Sequence, residues 1–179
     1  MNPPLPAGTI LGKEFLNRPT LVVAEELLGQ HLCRKNGDTT LRCQITEVEA
    51  YDGPEDRACH AHKGKTDRNS IMFGPAGHWY VYLCYGVHWL LNIVTGPKDY
   101  PAAVLFRGVL EVSGPGRLTK KLEINKDQNH LPSTPGSGLW LESSGITLSA
   151  KHFEKTPRIG IDYAGPEWAA VPYRFLLKT

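Results

Sequence analysis

Alternating apolar and polar residues mark the first half of the chain. The segment LRCQIT, residues 41–46, has the period-two signature of a half-buried β-strand, and it runs directly into residues 47–60, EVEAYDGPEDRACH. Before it, residues 20–29, TLVVAEELLG, place apolar side chains at a helix-like recurrence, with Thr20 available as a cap and Gly29 as a stop. The pattern predicts an amphipathic helix followed by a strand.

Aromatic and β-branched residues mark the later strands. Residues 78–96, HWYVYLCYGVHWLLNIVTG, predict two strand segments joined by a bend or turn at Gly86. Residues 102–112, AAVLFRGVLEV, predict a further strand, and residues 114–124, GPGRLTKKLEI, a turn leading into a short helix. The last segment, residues 157–177, predicts short strands and turns that close the core.

Composition supports a single core. The chain has 179 residues, 41% of them hydrophobic, while 18 Gly and 14 Pro favour short strands and many turns. We therefore expect one α+β domain over residues 1–179, with a curved, mixed, largely antiparallel sheet and flanking helices. The four cysteines show no CxxC spacing, which favours free thiols. Without a signal-peptide pattern or a membrane-length apolar run, we expect a soluble cytoplasmic protein, or a nuclear one in a eukaryote.

Residues 47–60 contain five carboxylates in fourteen positions, although the formal net charge of the chain is +2. Glu47, Glu49 and Tyr51 share one face of the predicted strand because strand side chains alternate. A solvated strand edge would give this pattern. A general base at a strand end, with an aromatic residue beside it, would give it too.

The next stretch is basic and then aromatic. Five cationic or imidazole side chains lie within nine residues: His60, His62, Lys63, Lys65 and Arg68. Four aromatic side chains follow: Tyr80, Tyr82, Tyr85 and Trp89. Basic groups bind phosphates and aromatic faces stack on bases, so the combination indicates a nucleic-acid site. A solvated loop followed by ordinary strand aromatics is the alternative interpretation.

Cys59, His60 and His62 are also candidate zinc ligands, with Glu49 as an activator of water. The Pro-Cys-x-x-Cys partner that zinc deaminases require is absent from the sequence. We therefore expect no metal and no other cofactor. A metal-dependent hydrolase stays as an alternative that sensitivity to EDTA would reveal.

Several sequence blocks can be compared together with known families. In order between residues 8 and 178 the chain carries EVEAYDGPEDRACH, RNSIMFGPAGHWYVYLCYGVHWLLNI, AAVLFR, GPGRLTKKLEI, PRIGI, AGPEW and PYRF. This succession resembles the alkyladenine DNA glycosylases, also called 3-methyladenine or methylpurine DNA glycosylases. A noncatalytic module that binds single-stranded nucleic acid is the competing class.

The resemblance implies an enzyme of base excision repair. Such an enzyme rotates alkylated or deaminated purines, the class of 3-methyladenine, 7-methylguanine, hypoxanthine and ethenoadenine, out of duplex DNA. It then hydrolyses the N-glycosidic bond and leaves an abasic site. The resemblance also implies a monofunctional reaction without a cofactor, damaged double-stranded DNA as the partner, and a monomer.

Two residues correspond to the family's catalytic positions. The Glu that activates water precedes an Ala-Tyr pair in the family, and Glu49 in VEAYDGPED resembles it. Arg107 resembles the Arg that supports the catalytic water. From its own context, the apolar segment VLFRGVL, Arg107 is either a strand residue facing solvent or a buried cation paired with an acid.

Five residues correspond to the family's base and DNA contacts. Tyr51 and His60 resemble the aromatic ring and the imidazole that contact the extruded base, and Tyr82 resembles the opposite stacking face. Asn92 resembles the Asn that discourages normal purines bearing an exocyclic amino group. Tyr85 resembles the Tyr that fills the gap in the duplex.

Two features depart from the family pattern. Val87 stands beside the wedge residue, where the family has a bulkier apolar side chain. Between VLEV and SGPGRL the chain is shorter than family members by about one helix-containing excursion. Either the excursion after Val112 is absent from the protein or the numbered sequence omits it.

Overall fold

A nine-stranded sheet organises residues 5–178, the part of the chain that the computed structural model describes. The strands are β1 (His31–Asn36), β2 (Thr39–Asp52), β3 (Trp79–Cys84), β4 (His88–Val94), β5 (Ala102–Val109), β6 (Val112–Ser113), β7 (Leu139–Glu142), β8 (Phe153–Thr156) and β9 (Arg174–Leu177). Six of them lie in the order β3-β4-β5-β2-β1-β7, while β6 pairs with β5 and β9 pairs with β2 and β8. The strand pairs within residues 5–178 are antiparallel.

Four short helices accompany the sheet. They are α1 (Lys13–Leu16), α2 (Thr20–Leu27), α3 (Pro115–Lys121) and α4 (Pro166–Ala170). The α+β class and the largely antiparallel sheet expected from the sequence are therefore confirmed. The outermost positions of the predicted 1–179 domain, residues 1–4 and 179, lie outside the described residues. No helix between residues 5 and 178 is both long enough and apolar enough to cross a bilayer.

Helix α2 forms where the apolar recurrence predicted it. The predicted cap was wrong: Pro19 is the N-cap, and Thr20 is the first residue of the helix. Thr20 is buried and its hydroxyl accepts a hydrogen bond from the Thr95 hydroxyl at 3.2 Å, so it is not free to cap. The predicted stop is confirmed, because the helix ends at Leu27 and Gly29 follows with φ 77°, a conformation that costs glycine little.

Strand β2 is the longest strand and the centre of the sheet. Its first half pairs with β1, and its second half pairs with β5. Residues 47–49 are paired on both edges, because β9 lies along their other side. The predicted alternation is confirmed at Cys43 and Ile45, which are buried, whereas Leu41 near the hairpin end is exposed.

The predicted turn at Gly86 is confirmed. Strands β3 and β4 pair from Trp79↔Ile93 to Cys84↔His88, which leaves residues 85–87 as the connection. Tyr85 and Gly86 both adopt positive φ, 51° and 68°. For a non-glycine residue this conformation costs about 1–2 kcal/mol.

The segment after β5 is a tight hairpin. Val109 pairs with Val112, so Leu110 and Glu111 alone form the turn, and the chain continues through β6 into α3. The junction between VLEV and SGPGRL, Val112–Ser113, is therefore strand β6 itself, and no helix lies between β5 and α3 in the chain as numbered.

Candidate active site

Glu49 is completely buried in the middle of β2, between β5 and β9. Its Oε1 accepts the backbone N–H of Ile159 at 2.8 Å, and its Oε2 accepts the hydroxyl of Tyr51 at 2.8 Å. Burial raises the pKa of Glu49, and the nearby Arg107, the Ile159 N–H and the Tyr51 hydroxyl oppose that rise. A positioned carboxylate with raised proton affinity has the property that a general base needs.

Arg107 is a paired cation and not a residue facing solvent. Its Nε lies 3.0 Å from Oε1 of Glu47 and 3.4 Å from Oε1 of Glu49. Arg174 donates to the same Glu47 oxygen at 2.6 Å, so two guanidinium groups neutralise Glu47. The predicted shared face of Glu47, Glu49 and Tyr51 is confirmed, and on it Glu47 serves as the counter-ion that holds Arg107.

A wide groove opens beside this cluster, with a cavity volume of ≈ 1190 Å³. Five of the sequence-predicted site residues line it: Tyr51, His60, Tyr82, Tyr85 and Arg107. Cationic and imidazole side chains also line it: Arg57, His62, Lys63, Arg68, His88 and Arg117. Glu49 lines neither this groove nor the cavity behind it, and it reaches them through Tyr51 and Arg107.

A small inner cavity of ≈ 40 Å³ lies behind the groove. Its lining includes Tyr51, His60, Tyr80, Tyr82 and Asn92. The ring centroids of His60 and Tyr82 are 4.7 Å apart, in a tilted contact. A base inserted between these two rings would need about 7 Å, twice the carbon–carbon contact distance. A base could therefore lie between these two rings only if they separated, whereas it could stack on Tyr51 without separating them.

His60 and Asn92 are both held by Tyr80, which the sequence did not assign to the site. Nδ1 of His60 lies 2.8 Å from the Tyr80 hydroxyl, and Nδ2 of Asn92 donates to the Tyr80 carbonyl at 3.1 Å. Burial, together with the charge of Arg68, lowers the pKa of His60. The imidazole is therefore neutral at neutral pH.

Tyr85 occupies the tip of the β3–β4 hairpin and is 93% exposed. Its neighbour Val87 is also exposed. Tyr85 is therefore not an ordinary core aromatic.

The candidate zinc ligands turn to separate partners. The Cys59 thiol lies 3.8 Å from the Pro101 carbonyl, His60 contacts Tyr80, and Nδ1 of His62 lies 2.7 Å from the Pro54 carbonyl. Across residues 5–178, no three His, Cys, Asp or Glu side chains are grouped so as to hold a metal ion. The four cysteines are free thiols, as expected.

Arg158 is a residue of the site that sequence reasoning missed. Its Nη1 and Nη2 donate to the two carboxylate oxygens of Asp56 at 2.6 and 2.8 Å, and both side chains are fully buried. Asp56 also accepts the backbone N–H groups of Asp52 and Ala58, and these bonds shape the turn after β2. Arg158 lies 4.7 Å from the centre of the Tyr51 ring, so the pair supports the back of the pocket. The one available signal was its place in the PRIGI block.

Comparison with known proteins decides the family. The family model for methylpurine-DNA glycosylase matches residues 14–179. The chain belongs to the methylpurine-DNA glycosylase family. This membership confirms the resemblance that the ordered sequence blocks carried.

Bacterial relatives in this family match most of the chain. A protein of Wolbachia from Brugia malayi is 47% identical over 159 residues, covering 85% of this chain and 90% of the relative. One from Sodalis glossinidius is 46% identical over 162 residues, covering 87% and 91%. One from Psychrobacter cryohalolentis is 39% identical over 193 residues, covering 90% of each chain. All three are named, provisionally, as 3-methyladenine DNA glycosylases.

The alignment with the Psychrobacter protein spans 193 residues, more than the 179 of this chain. That relative therefore carries additional residues inside the aligned region.

Proposed function

We propose that this protein is a monofunctional DNA glycosylase that releases alkylated or deaminated purines from duplex DNA and leaves an abasic site. The observation that carries the proposal is the buried Glu49, whose two neighbours Tyr51 and Arg107, at 2.8 and 3.4 Å, line an aromatic and basic groove. The family membership and the names of the relatives agree with this activity.

The damaged nucleotide must leave the base stack before it can react, at a cost of a few kcal/mol. Tyr85 is suited to fill the vacated space, because its ring is exposed at the tip of a hairpin. Arg57, Lys63, Arg68 and Arg117 line the same groove and would bind the DNA phosphates.

The extruded purine would enter the inner cavity, which Tyr51, His60 and Tyr82 line. Tyr51 and Tyr82 offer ring faces, which attract the positive charge of an alkylated purine. His60 is neutral and its Nδ1 is engaged by Tyr80, so the opposite ring nitrogen, Nε2, can contact the edge of the base. Asn92 stands on the cavity wall, where it would obstruct the exocyclic amino group of a normal purine.

Cleavage of the glycosidic bond develops positive charge on the sugar, and the Glu49 carboxylate stabilises it. Glu49 also accepts a proton from the attacking water, whose oxygen forms the new bond to the sugar carbon. The bonding electrons leave with the purine, which is already cationic for alkylated lesions. Arg107 supports the water and is held in place by Glu47.

The activity is tested with duplexes that each carry one lesion: 3-methyladenine, 7-methylguanine, hypoxanthine or ethenoadenine. We expect free base and an alkali-labile abasic site from at least one lesion duplex and none from the undamaged duplex. EDTA should not change the rate. Binding without base release would favour a noncatalytic nucleic-acid module, and inhibition by EDTA would favour a metal-dependent hydrolase.

The monofunctional mechanism is tested with borohydride, which traps a Schiff base between an enzyme amine and DNA. The residues proposed for the pocket include no amine nucleophile, so we expect no covalent adduct. Monomeric binding to DNA and a cytoplasmic location stay predictions, which sedimentation and cell fractionation would check.

A further inference from the structure

Tyr163 connects the groove to the inner cavity. Within the described chain, four ring-bearing side chains line both spaces: Tyr51, His60, Tyr82 and Tyr163. The first three are the residues already proposed to bind the base. Tyr163 occupies the same boundary, although no sequence pattern singled it out.

Tyr163 is exposed on a rigid support. Its side chain is 70% exposed, whereas Ile161 and Ala164 on either side are buried in a small cluster with Ala58. The Tyr163 hydroxyl donates to the Ala58 carbonyl at 3.0 Å. The ring is thus fixed through the backbone at one end and through the hydroxyl at the other. Its free face stays at one place, on the rim of the cavity.

We propose that Tyr163 is a further lesion-recognition residue, whose ring contacts the extruded purine nucleotide at the mouth of the inner cavity. This inference rests on the proposed function. Alkylation at N7 gives guanine a positive charge, which an aromatic face attracts more than it attracts a neutral base. Tyr163 therefore favours cationic lesions over neutral ones such as hypoxanthine.

The test is fluorescence anisotropy in a Glu49→Gln background, in which the lesion is not released. The duplexes carry 7-methylguanine, hypoxanthine or no lesion. Tyr163→Ala should weaken binding of the 7-methylguanine duplex about 5- to 150-fold, the range of base–aromatic stacking. The loss should be smaller for hypoxanthine and absent for undamaged DNA. The melting temperature of Tyr163→Ala should stay near that of the parent protein, because the Tyr163 side chain is exposed.

Two further variants separate the ring from the hydroxyl. Tyr163→Phe keeps the ring and loses only the hydroxyl bond to Ala58, so it should lose less affinity than Tyr163→Ala. Tyr163→Leu keeps bulk without an aromatic face and should lose the preference for the cationic lesion. If Tyr163→Ala fails to fold, Tyr163→Leu still tests the loss of the aromatic ring. Ile146→Ala is the matched control, because Ile146 is exposed and lines neither cavity.

The inference is overturned if Tyr163→Ala and Tyr163→Leu bind every duplex like the parent. It is also overturned if Tyr163→Phe loses as much affinity as Tyr163→Ala, since the hydroxyl and not the ring would then matter. These outcomes leave the proposed function intact, because that depends on base release by the wild-type enzyme. A wild-type enzyme that releases no base from any lesion duplex rejects the proposed function, whereas equal binding by the Tyr163 variants rejects this inference alone.

Discussion

Glu49 and Asp56 lie seven residues apart in one acidic stretch, and both are completely buried, yet their surroundings differ. Asp56 is bonded by two nitrogens of Arg158 and by two backbone N–H groups. Glu49 is bonded by one backbone N–H and one hydroxyl, and its nearest guanidinium nitrogen, from Arg107, lies at 3.4 Å. Burial raises the pKa of Glu49 in spite of these contacts.

The difference separates a structural carboxylate from a reactive one. A carboxylate whose lone pairs are all occupied stabilises the conformation around it and has no capacity left for a substrate. A carboxylate with incomplete pairing keeps an affinity for a proton and can exchange one with water. The same stretch of sequence thus supplies both the support of the pocket and the proposed base.

The largest expected effect is on base release by Glu49→Gln. The amide keeps the shape but cannot accept the proton, so the single-turnover rate should fall about 100- to 10,000-fold while lesion binding persists. Glu47→Gln is the matched control on the same face, and it should lose less because Glu47 acts only through Arg107. Release at the wild-type rate by Glu49→Gln would remove Glu49 from the mechanism.

Asp56→Asn should mainly reduce stability, whereas Glu49→Gln should mainly reduce base release. It leaves the Arg158 guanidinium buried without its counter-ion, which typically costs about 3–5 kcal/mol of unfolding free energy. Urea denaturation measures this loss. Glu26→Gln breaks the exposed pair with Arg18 and should change stability by about 0–1 kcal/mol. Equal effects of the two substitutions would show that Asp56 is not a structural ion-pair partner.

Tyr85→Ser extends the comparison from carboxylates to aromatic rings. Because Tyr85 is exposed, the variant should melt near the wild-type temperature, whereas Trp79→Ala in the core of the same hairpin should lose about 3–5 kcal/mol. Lesion-duplex binding should weaken by about 1–3 kcal/mol. The loss should be far smaller for a lesion in single-stranded DNA, where no opposing stack must be held open. A large fall in melting temperature with unchanged affinity would contradict the wedge assignment.

A further prediction concerns the pH dependence of base release. If Glu49 is the general base, base release needs its ionised form, so the rate should fall by about tenfold per pH unit below the raised pKa of Glu49. His60→Asn should retain this acid limb if Glu49 is its source, and loss of the limb would assign it to the imidazole instead.

The raised pKa of Glu49 also has a consequence for stability. The folded state binds the Glu49 proton more tightly than the unfolded state does, so this contribution is present at acid pH and is lost as pH rises through the folded-state pKa. Glu49→Gln should therefore gain stability relative to wild type as the pH is raised. Thermal melts at several pH values measure the difference.

Local patterns predicted the elements whose signal lies within a few residues. The helix at α2, the alternation in β2 and the turn at Gly86 follow from periodicity and turn chemistry. Strands β1 and β7 escaped prediction, because HLCRKN is largely polar and LWLE has four residues. Each of them is defined by pairing with a distant strand.

The candidate site likewise contains residues that local sequence predicted and contacts that only the fold creates. The ordered blocks placed Tyr51, His60 and Tyr82 in one pocket, and the structure brings them together. The pairing of Asp56 with Arg158 spans 102 residues and leaves no local trace in the sequence. The contact between His60 and Tyr82 depends likewise on the fold, since the loop that carries one ring must return over the strand that carries the other.

The pairing of β2 on both of its edges predicts how fast its amide hydrogens exchange with solvent. Residues 47–49 are bonded to β5 on one side and to β9 on the other, so their amide hydrogens should exchange with solvent only when the whole domain unfolds. The three-residue tip that presents Tyr85 should exchange through local opening. We therefore expect the proposed catalytic carboxylate to lie in the part of the protein that opens least readily, and the ring proposed to fill the gap in DNA to lie in a part that opens more readily.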